Sequence, residues 1–127
     1  MKIIMGYLLL VSGVITLFRF MKFKGSDYKN ASGNGFVKTC LDKGAYGEFL
    51  IYCELEKMKG KFKVLTNVYL NKGDGLTTEI DLILFGETGC YIIESKNYKG
   101  WIFGDEKHKN WTQTLKNNRK NKFFNPI

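Results

Sequence analysis

Three side chains of this sequence have the types and spacing to do chemistry together: Asp81, Glu94 and Lys96. Asp81 closes the run Thr77-Thr78-Glu79-Ile80-Asp81, and Glu94 and Lys96 close the run Cys90-Tyr91-Ile92-Ile93-Glu94-Ser95-Lys96; between the runs lies the turn Gly86-Glu87-Thr88-Gly89. A hairpin folded symmetrically about that turn sets Gly86 against Gly89 and Asp81 against Glu94, with Cβ atoms about 5 Å apart. Strand alternation brings Lys96 out on the face of Glu94 and sends Ile93 and Ser95 the other way. Two carboxylates held this closely raise one another's pKa and are costly to desolvate. A hard divalent cation such as Mg2+ relieves that repulsion, because it takes carboxylate oxygens and keeps water positions for a phosphate and a nucleophile. Lys96 could then orient the attacking water or offset charge growing on the phosphoryl group. The plainer alternative is a cross-strand salt bridge on a solvated face, with Lys96 neutralising either acid.

The elements that must position these groups can be read in outline. Apolar residues Phe49, Tyr52 and Cys53, followed by Glu56, recur at helical spacing and predict a helix from about Ala45 to Lys59. Glu48 falls in its expected first turn, where the helix dipole favours a carboxylate. Strands are expected over Phe62 to Leu70, Thr77 to Phe85, Cys90 to Lys96 and Trp101 to Phe103, with a polar helix after Trp111. The buried hairpin face is expected to be Ile80, Leu82, Leu84, Tyr91 and Ile93.

In their order and spacing these residues resemble the nuclease-related domain (NERD) family, a branch of the PD-(D/E)XK nuclease superfamily. The matching pieces are Gly-x-x-Gly-Glu at Gly44 to Glu48, Glu-Ile-Asp at Glu79 to Asp81, Ile-Glu-x-Lys-Asn at Ile93 to Asn97, Gly-Trp-Ile-x-Gly-Asp at Gly100 to Asp105, Trp111, and Asn125-Pro126. The resemblance implies an α/β fold, a small mixed β-sheet flanked by helices as in restriction endonucleases. It implies that Asp81 and Glu94 are metal ligands, that Lys96 is the catalytic lysine, that Glu48 completes the site from its helix, and that the Ser95 carbonyl contributes to metal binding. The expected cofactor is Mg2+, with Mn2+ as a substitute. Gln113 lies where related nucleases often place a supporting glutamine. The family pattern normally runs on past Asn-Pro, so a domain truncated at its carboxyl end is also expected.

The amino-terminal part carries a different signal. Sixteen residues from Ile3 to Phe18 contain no charge. They cover about 24 Å as a helix, which Phe20, Met21 and snorkelling by Lys2 and Arg19 extend toward the ~30 Å of a bilayer core. A cleaved signal peptide fits the same run, but basic, bulky Arg19 to Lys24 follows in place of a small-residue cleavage site. A helix buried in a larger fold fits less well, since the run is apolar on every face. The expectation is therefore an uncleaved single-pass anchor over residues 1–24 in the cell membrane. Arg19, Lys22, Lys24 and Lys29 crowd its carboxyl side, which puts the remainder in the cytoplasm. Residues 25–40, rich in Gly, Ser and Asn, read as a flexible linker, and residues 41–127 as the single domain.

The chain of 127 residues carries a net charge of +8. Residues 96–127 hold eight Lys or Arg against two acids, interleaved with Tyr98, Trp101, Trp111, Phe123 and Phe124. A basic surface beside carboxylates suits a polyanion, so the expected partner is nucleic acid, DNA above all, held by Lys99, Lys116, Arg119 and Lys120 with little sequence specificity. A solvated lysine-rich face, or attraction to anionic lipid, would give the same composition. Cys40, Cys53 and Cys90 are odd in number and share no C-x-x-C spacing, which speaks against a zinc site and for a reducing compartment. His108 sits in a charged run and reads as a surface residue. A non-catalytic adaptor of the same fold, bound to nucleic acid or a partner at the membrane, remains the alternative function.

Overall fold

The computed structural model describes residues 1–127 apart from the side chain of Lys2, so the expected snorkelling of that lysine lies outside the described residues. The chain forms two compact units, Met1–Ser95 and Lys96–Ile127. The expected class holds: helices combine with two small antiparallel sheets behind an apolar amino-terminal helix.

In the first unit, α1 (Lys2–Lys24) is a single helix of 23 residues. The stretch Ile3–Lys24 is long and apolar enough to cross a membrane. Its side chains are exposed along nearly their whole length, yet Phe23 near the end is only 5% exposed. Phe23 joins Tyr28, Phe49, Tyr52, Cys53 and Leu82 in the core. Ring centroids lie 5.7 Å apart for Phe23 and Phe49, 5.4 Å for Tyr28 and Phe49, and 5.5 Å for Tyr28 and Tyr52, distances at which tilted aromatic pairs attract.

The segment expected to be a flexible linker is instead folded. It contains α2 (Tyr28–Ser32) and α3 (Phe36–Leu41), and Tyr28 is fully buried. Its Gly, Ser and Asn residues act as helix ends and bonds rather than as slack. Gly33 closes α2 in the left-handed conformation at φ 72°. Ser26 Oγ donates to Glu56 Oε2 at 2.6 Å, and the Asp27 amide donates to Glu56 Oε1 at 2.8 Å, tying the α1–α2 turn to the end of the helix that follows α3.

That helix, α4 (Lys43–Leu55), starts earlier and stops earlier than expected. Asp42 caps it, Oδ1 accepting from the amides of Gly44 at 2.8 Å and Ala45 at 3.1 Å. At the far end the Lys57 and Met58 amides reach back only three residues, to the carbonyls of Glu54 and Leu55, and this tighter winding ends the helix before Lys59. Phe49, Tyr52 and Cys53 face the core as the spacing predicts.

Strands β1 (Phe62–Asn71), β2 (Thr77–Gly86) and β3 (Gly89–Ile93) form an antiparallel sheet in that order. The β2–β3 register runs from Gly86 opposite Gly89 to Leu82 opposite Ile93, the symmetric hairpin expected from the turn. Ile80, Leu82 and Leu84 are buried and Ile93 is half-buried. Tyr91, expected to be buried, is 47% exposed on the edge strand beside the turn, where its hydroxyl lies 2.9 Å from that of Thr88. Ile83, on the opposite face, is buried. Among the thiols, all free, Cys53 is buried, Cys40 half-buried and Cys90 exposed.

The second unit is a sheet of β4 (Trp101–Phe103), β5 (Asn110–Thr114) and β6 (Lys120–Phe124), again antiparallel in chain order. The polar helix expected after Trp111 is therefore a hairpin. Trp111 pairs with Phe123 across the ladder, their ring centroids 6.4 Å apart, and the connecting turn holds Asn118 at φ 58°, a left-handed conformation that asparagine tolerates. Two glycines of the Gly-Trp-Ile-x-Gly pattern are required by close contact: a Cβ on Gly100 would meet the Thr114 carbonyl, and one on Gly104 would run into the Trp111 ring.

Candidate functional site

Asp81 occupies the one position of β2 at which the ladder lapses on both sides. Toward β1, pairing is regular at Thr66 with Leu82 and at Val68 with Ile80, but Asn67, opposite Asp81, turns left-handed at φ 52° and drops out. The unusual backbone lets consecutive residues serve one neighbour. Thr66 Oγ1 donates to the Ala31 carbonyl at 2.9 Å, and Asn67 Nδ2 donates to the Ser32 carbonyl at 3.1 Å, so both satisfy the end of α2. Toward β3, the last ladder pair is Leu82 with Ile93, and Asp81 and Glu94 stand at the next position of the same register. There β3 ends, three residues before the expected Lys96, because the Ser95 amide donates to a side chain: it reaches Asp81 Oδ2 at 2.6 Å. Asp81 and Ser95 are half-buried and Glu94 is exposed.

Glu48 reaches this region from α4, whose Phe49 packs with Leu82 of β2 in the core. It lies in the second turn, not the first as expected, because Asp42 starts the helix at Lys43. The helix dipole, which acts mainly within the first turn, is therefore a minor influence. Burial pushes the Glu48 carboxyl above its usual range, and the negative charges of Asp81, then Glu79 and Asp42, push the same way; a hydrogen bond from Tyr28 opposes them. Tyr28 Oη lies 3.4 Å from Glu48 Oε2 and 3.3 Å from the Ala45 carbonyl, and accepts from Asn34 Nδ2 at 3.4 Å. Burial raises the Tyr28 hydroxyl in turn, against a lowering bond from Asn34 and with a further rise from the Glu48 charge.

Two residues that sequence reasoning left without a role belong to the same neighbourhood. Glu79 lies two positions from Asp81 on β2, hence on the same face, and accepts from Tyr69 Oη at 2.9 Å. That bond is the first cause of a raised Tyr69 pKa, with the charges of Glu79 and Glu48 adding to it. The signal available in the sequence was the alternation Glu79-x-Asp81. Tyr28 gave none, because the surrounding Ser, Asn and Gly resembled a linker.

Glu48 thus lies within electrostatic reach of Asp81 and Glu79, the Ser95 backbone is bonded to Asp81, and Glu94 follows the last residue of β3 that pairs with β2. Among the described residues, no three His, Cys, Asp or Glu side chains stand as a ready-made cage for one ion. All the carboxylates on offer are hard oxygen donors, the kind a magnesium ion takes singly or in pairs while keeping its waters.

Lys96, expected on the Glu94 face, opens the second unit. In that unit Lys99 and Lys116 line one cavity of about 540 Å3 together with Gly100, Trp101, Leu115 and Asn117. Lys116 and Arg119 belong to the β5–β6 turn, closed by the Leu115 amide donating to the Arg119 carbonyl at 2.9 Å, and Lys120 begins β6. All four basic side chains are exposed. Gln113 donates through Nε2 to the Lys99 carbonyl at 2.7 Å and accepts from Asn121 Nδ2 at 3.3 Å, which makes it a brace within this unit. Asn125 Nδ2 spans the Glu106 and His108 carbonyls at 2.9 Å each, and Trp111 Nε1 donates to the Asp105 carbonyl at 3.0 Å. The Asp105, Trp111 and Asn125 pattern thus holds the turn before β5 in shape. His108 is exposed.

A family model described as nuclease-related domain (NERD) matches residues 43–127. An uncharacterised protein of Bacillus anthracis is 45% identical over 86 residues, which cover 67% of this chain and 40% of the relative. The match thus spans well under half the length of that curated relative. No solved structure matches.

Proposed function

Since the chain belongs to the nuclease-related domain family, we propose that it hydrolyses phosphodiester bonds in DNA at a site built around Asp81 and depends on a divalent cation. The observation that supports this most is the convergence at Asp81: a carboxylate at a double lapse in the ladder, just beyond the Leu82–Ile93 pair that Glu94 also follows, bonded by the Ser95 amide and within electrostatic reach of Glu48.

Mg2+ is the proposed ion and Mn2+ its substitute. Asp81, Glu94 and the Ser95 carbonyl would hold it, and Glu48 would take a second ion or its hydration shell. The donor set fits, being oxygen only. The raised Glu48 carboxyl fits as well, since burial and its acidic neighbours disfavour its charge, an effect a cation offsets. A cation there supplies a more acidic water and charge stabilisation on the phosphoryl oxygens.

The chain's own contributions are separate. Lys96, two residues from Glu94, donates to the attacking water or to the oxygen on which charge develops. The Ser95 amide fixes the Asp81 carboxylate in one orientation before substrate arrives. Tyr28 restrains Glu48. Lys99 and Lys116, beside Trp101, offer cations and an aromatic face to a sugar-phosphate backbone, with Arg119 and Lys120 extending the basic surface. The helix α1 anchors the protein in the membrane, and Arg19, Lys22, Lys24 and Lys29 keep the domain on the cytoplasmic side.

The test is cleavage of supercoiled, linear and single-stranded DNA, with RNA as a fourth substrate, by the full chain in detergent with Mg2+ or Mn2+. Cleavage is expected to vanish in EDTA and in Asp81→Ala. Persistent cleavage by Asp81→Ala would refute the site. DNA binding that survives EDTA without any cleavage would favour the adaptor.

A further inference from the structure

Helix α3 is built the wrong way round for a helix facing water. Its inward positions are Phe36, Thr39 and Cys40: Phe36 and Cys40 are half-buried, and Thr39 is fully buried with its hydroxyl donating to the Gly35 carbonyl at 3.0 Å. Its outward positions carry Val37, 67% exposed, and Leu41, 80% exposed, one turn apart with Lys38 between them. On the first unit a small polar residue is thus buried while two branched aliphatics project outward.

The location of α3 explains the inversion. The Phe36 ring meets Phe20 at 5.1 Å and Phe23 at 5.6 Å, both edge-on, so α3 touches α1 at the level of residues 20–23. The uncharged run of α1 ends at Phe18, only about 3–8 Å away along the helix axis. That is the depth at which amphipathic helices rest in the boundary between headgroups and acyl chains. Lys22 and Lys24 end α1, and Lys43 begins α4 just past α3, which places cations around the same level.

We propose that α3 is an interfacial helix that lies on an anionic phospholipid surface, with Val37 and Leu41 entering the boundary between headgroups and acyl chains and the neighbouring lysines meeting the phosphates. This rests on the reading of α1 as a membrane span. The contact adds a second attachment beside α1 and fixes the tilt of the first unit against the bilayer.

The experiment places the full chain in vesicles of phosphatidylcholine and phosphatidylglycerol with bromine on the acyl chains and reads tryptophan emission. Leu41→Trp is compared with Leu9→Trp in α1 and with Asp74→Trp in the β1–β2 turn, all at exposed positions. Leu9→Trp is expected to be strongly quenched and Asp74→Trp not at all, while Leu41→Trp loses about half of its added emission, as a shallow interfacial site should. A Leu41→Trp that behaves like Asp74→Trp while Leu9→Trp is quenched overturns this proposal and leaves the anchor standing. An unquenched Leu9→Trp overturns both. Leu41→Trp emission that ignores lipid but shifts blue with protein concentration would assign the face to a second copy of the chain instead. Quenching equally strong in phosphatidylcholine alone would overturn the requirement for anionic lipid.

Discussion

The backbone amide of Ser95 and the carboxylate of Asp81 are joined by a hydrogen bond of 2.6 Å, just past the last paired residues of the β2–β3 hairpin. The bond separates a structural role of Asp81 from the chemical role proposed for it. Asp81→Asn keeps an oxygen for the amide, so its stability should stay within about 1 kcal/mol of the parent, whereas Asp81→Ala strands the amide and should cost about 1–3 kcal/mol. Both should lose cleavage by about 100-fold or more. Denaturant unfolding in parallel with plasmid cleavage checks the pair, and an active Asp81→Asn would show that the charge is dispensable.

Lys96→Met replaces the ammonium with an apolar chain of similar length. Single-turnover cleavage should fall by about 100-fold to 1,000-fold. Thermal stabilisation by Mg2+ should survive, because the carboxylates are untouched; if it disappeared, Lys96 would be organising the ion site and not the reacting groups.

Glu48 predicts a pH signature. Burial and the charges of Asp81, Glu79 and Asp42 raise its pKa, so the folded chain holds this proton more tightly than the unfolded chain does. The stability it contributes is complete below about pH 4.5, the ordinary value of such a carboxyl, and is lost as the pH rises through the raised folded value. Glu48→Gln, with an oxygen that can still accept from Tyr28, should therefore raise the melting temperature in EDTA at pH 7 and lose that advantage at pH 4. A melting temperature at pH 7 no higher than the parent's would contradict the raised pKa.

Gly104→Ala tests the second unit alone. A methyl group driven into the Trp111 ring should cost about 1–3 kcal/mol through displaced packing. Hydrogen exchange should report faster opening of β4 to β6 with β1 to β3 unchanged, and uniform loss across both sheets would mean that the two units unfold together.

Lys99 and Lys116 should each contribute to DNA affinity through phosphate contact. Each change to alanine should lower the slope of log affinity against log salt by about 1. Binding titrations in EDTA across a range of salt measure this without cleavage, and an unchanged slope would place the nucleic-acid surface elsewhere.

How much of this was legible in the sequence varies by element, for physical reasons. The β2–β3 hairpin could be read because two glycines bracket its turn and alternation has a period of two, so the register from Gly86 against Gly89 to Leu82 against Ile93, one step short of Asp81 and Glu94, followed from counting. The Asn67 kink left no such trace, since an asparagine in a strand does not announce a left-handed backbone. Asp42 was not recognised as a cap, and this moved Glu48 into the wrong turn. The β5–β6 hairpin was mistaken for a helix because neither strand alternates apolar with polar residues: its order comes from Trp111 against Phe123 and from Asn125 bridging carbonyls, contacts made at long range. The linker reading failed at Tyr28, a single aromatic among small polar residues whose partners Phe49 and Tyr52 lie some twenty positions away.

The burial of Phe23 sets the boundary at which this protein can be cut. A soluble version begun at Gly25 would omit the whole apolar helix, but it would also pull one ring out from among Tyr28, Phe36 and Phe49. The loss of a core phenylalanine costs about 3–5 kcal/mol, a large share of the 5–15 kcal/mol that holds an ordinary domain together. A shortened protein that fails to fold, or folds without activity, would therefore say nothing about the chemistry proposed at Asp81. Trimmed versions should start at Arg19 or earlier and keep the final turn of the helix, with solubilising changes confined to the side chains that face outward.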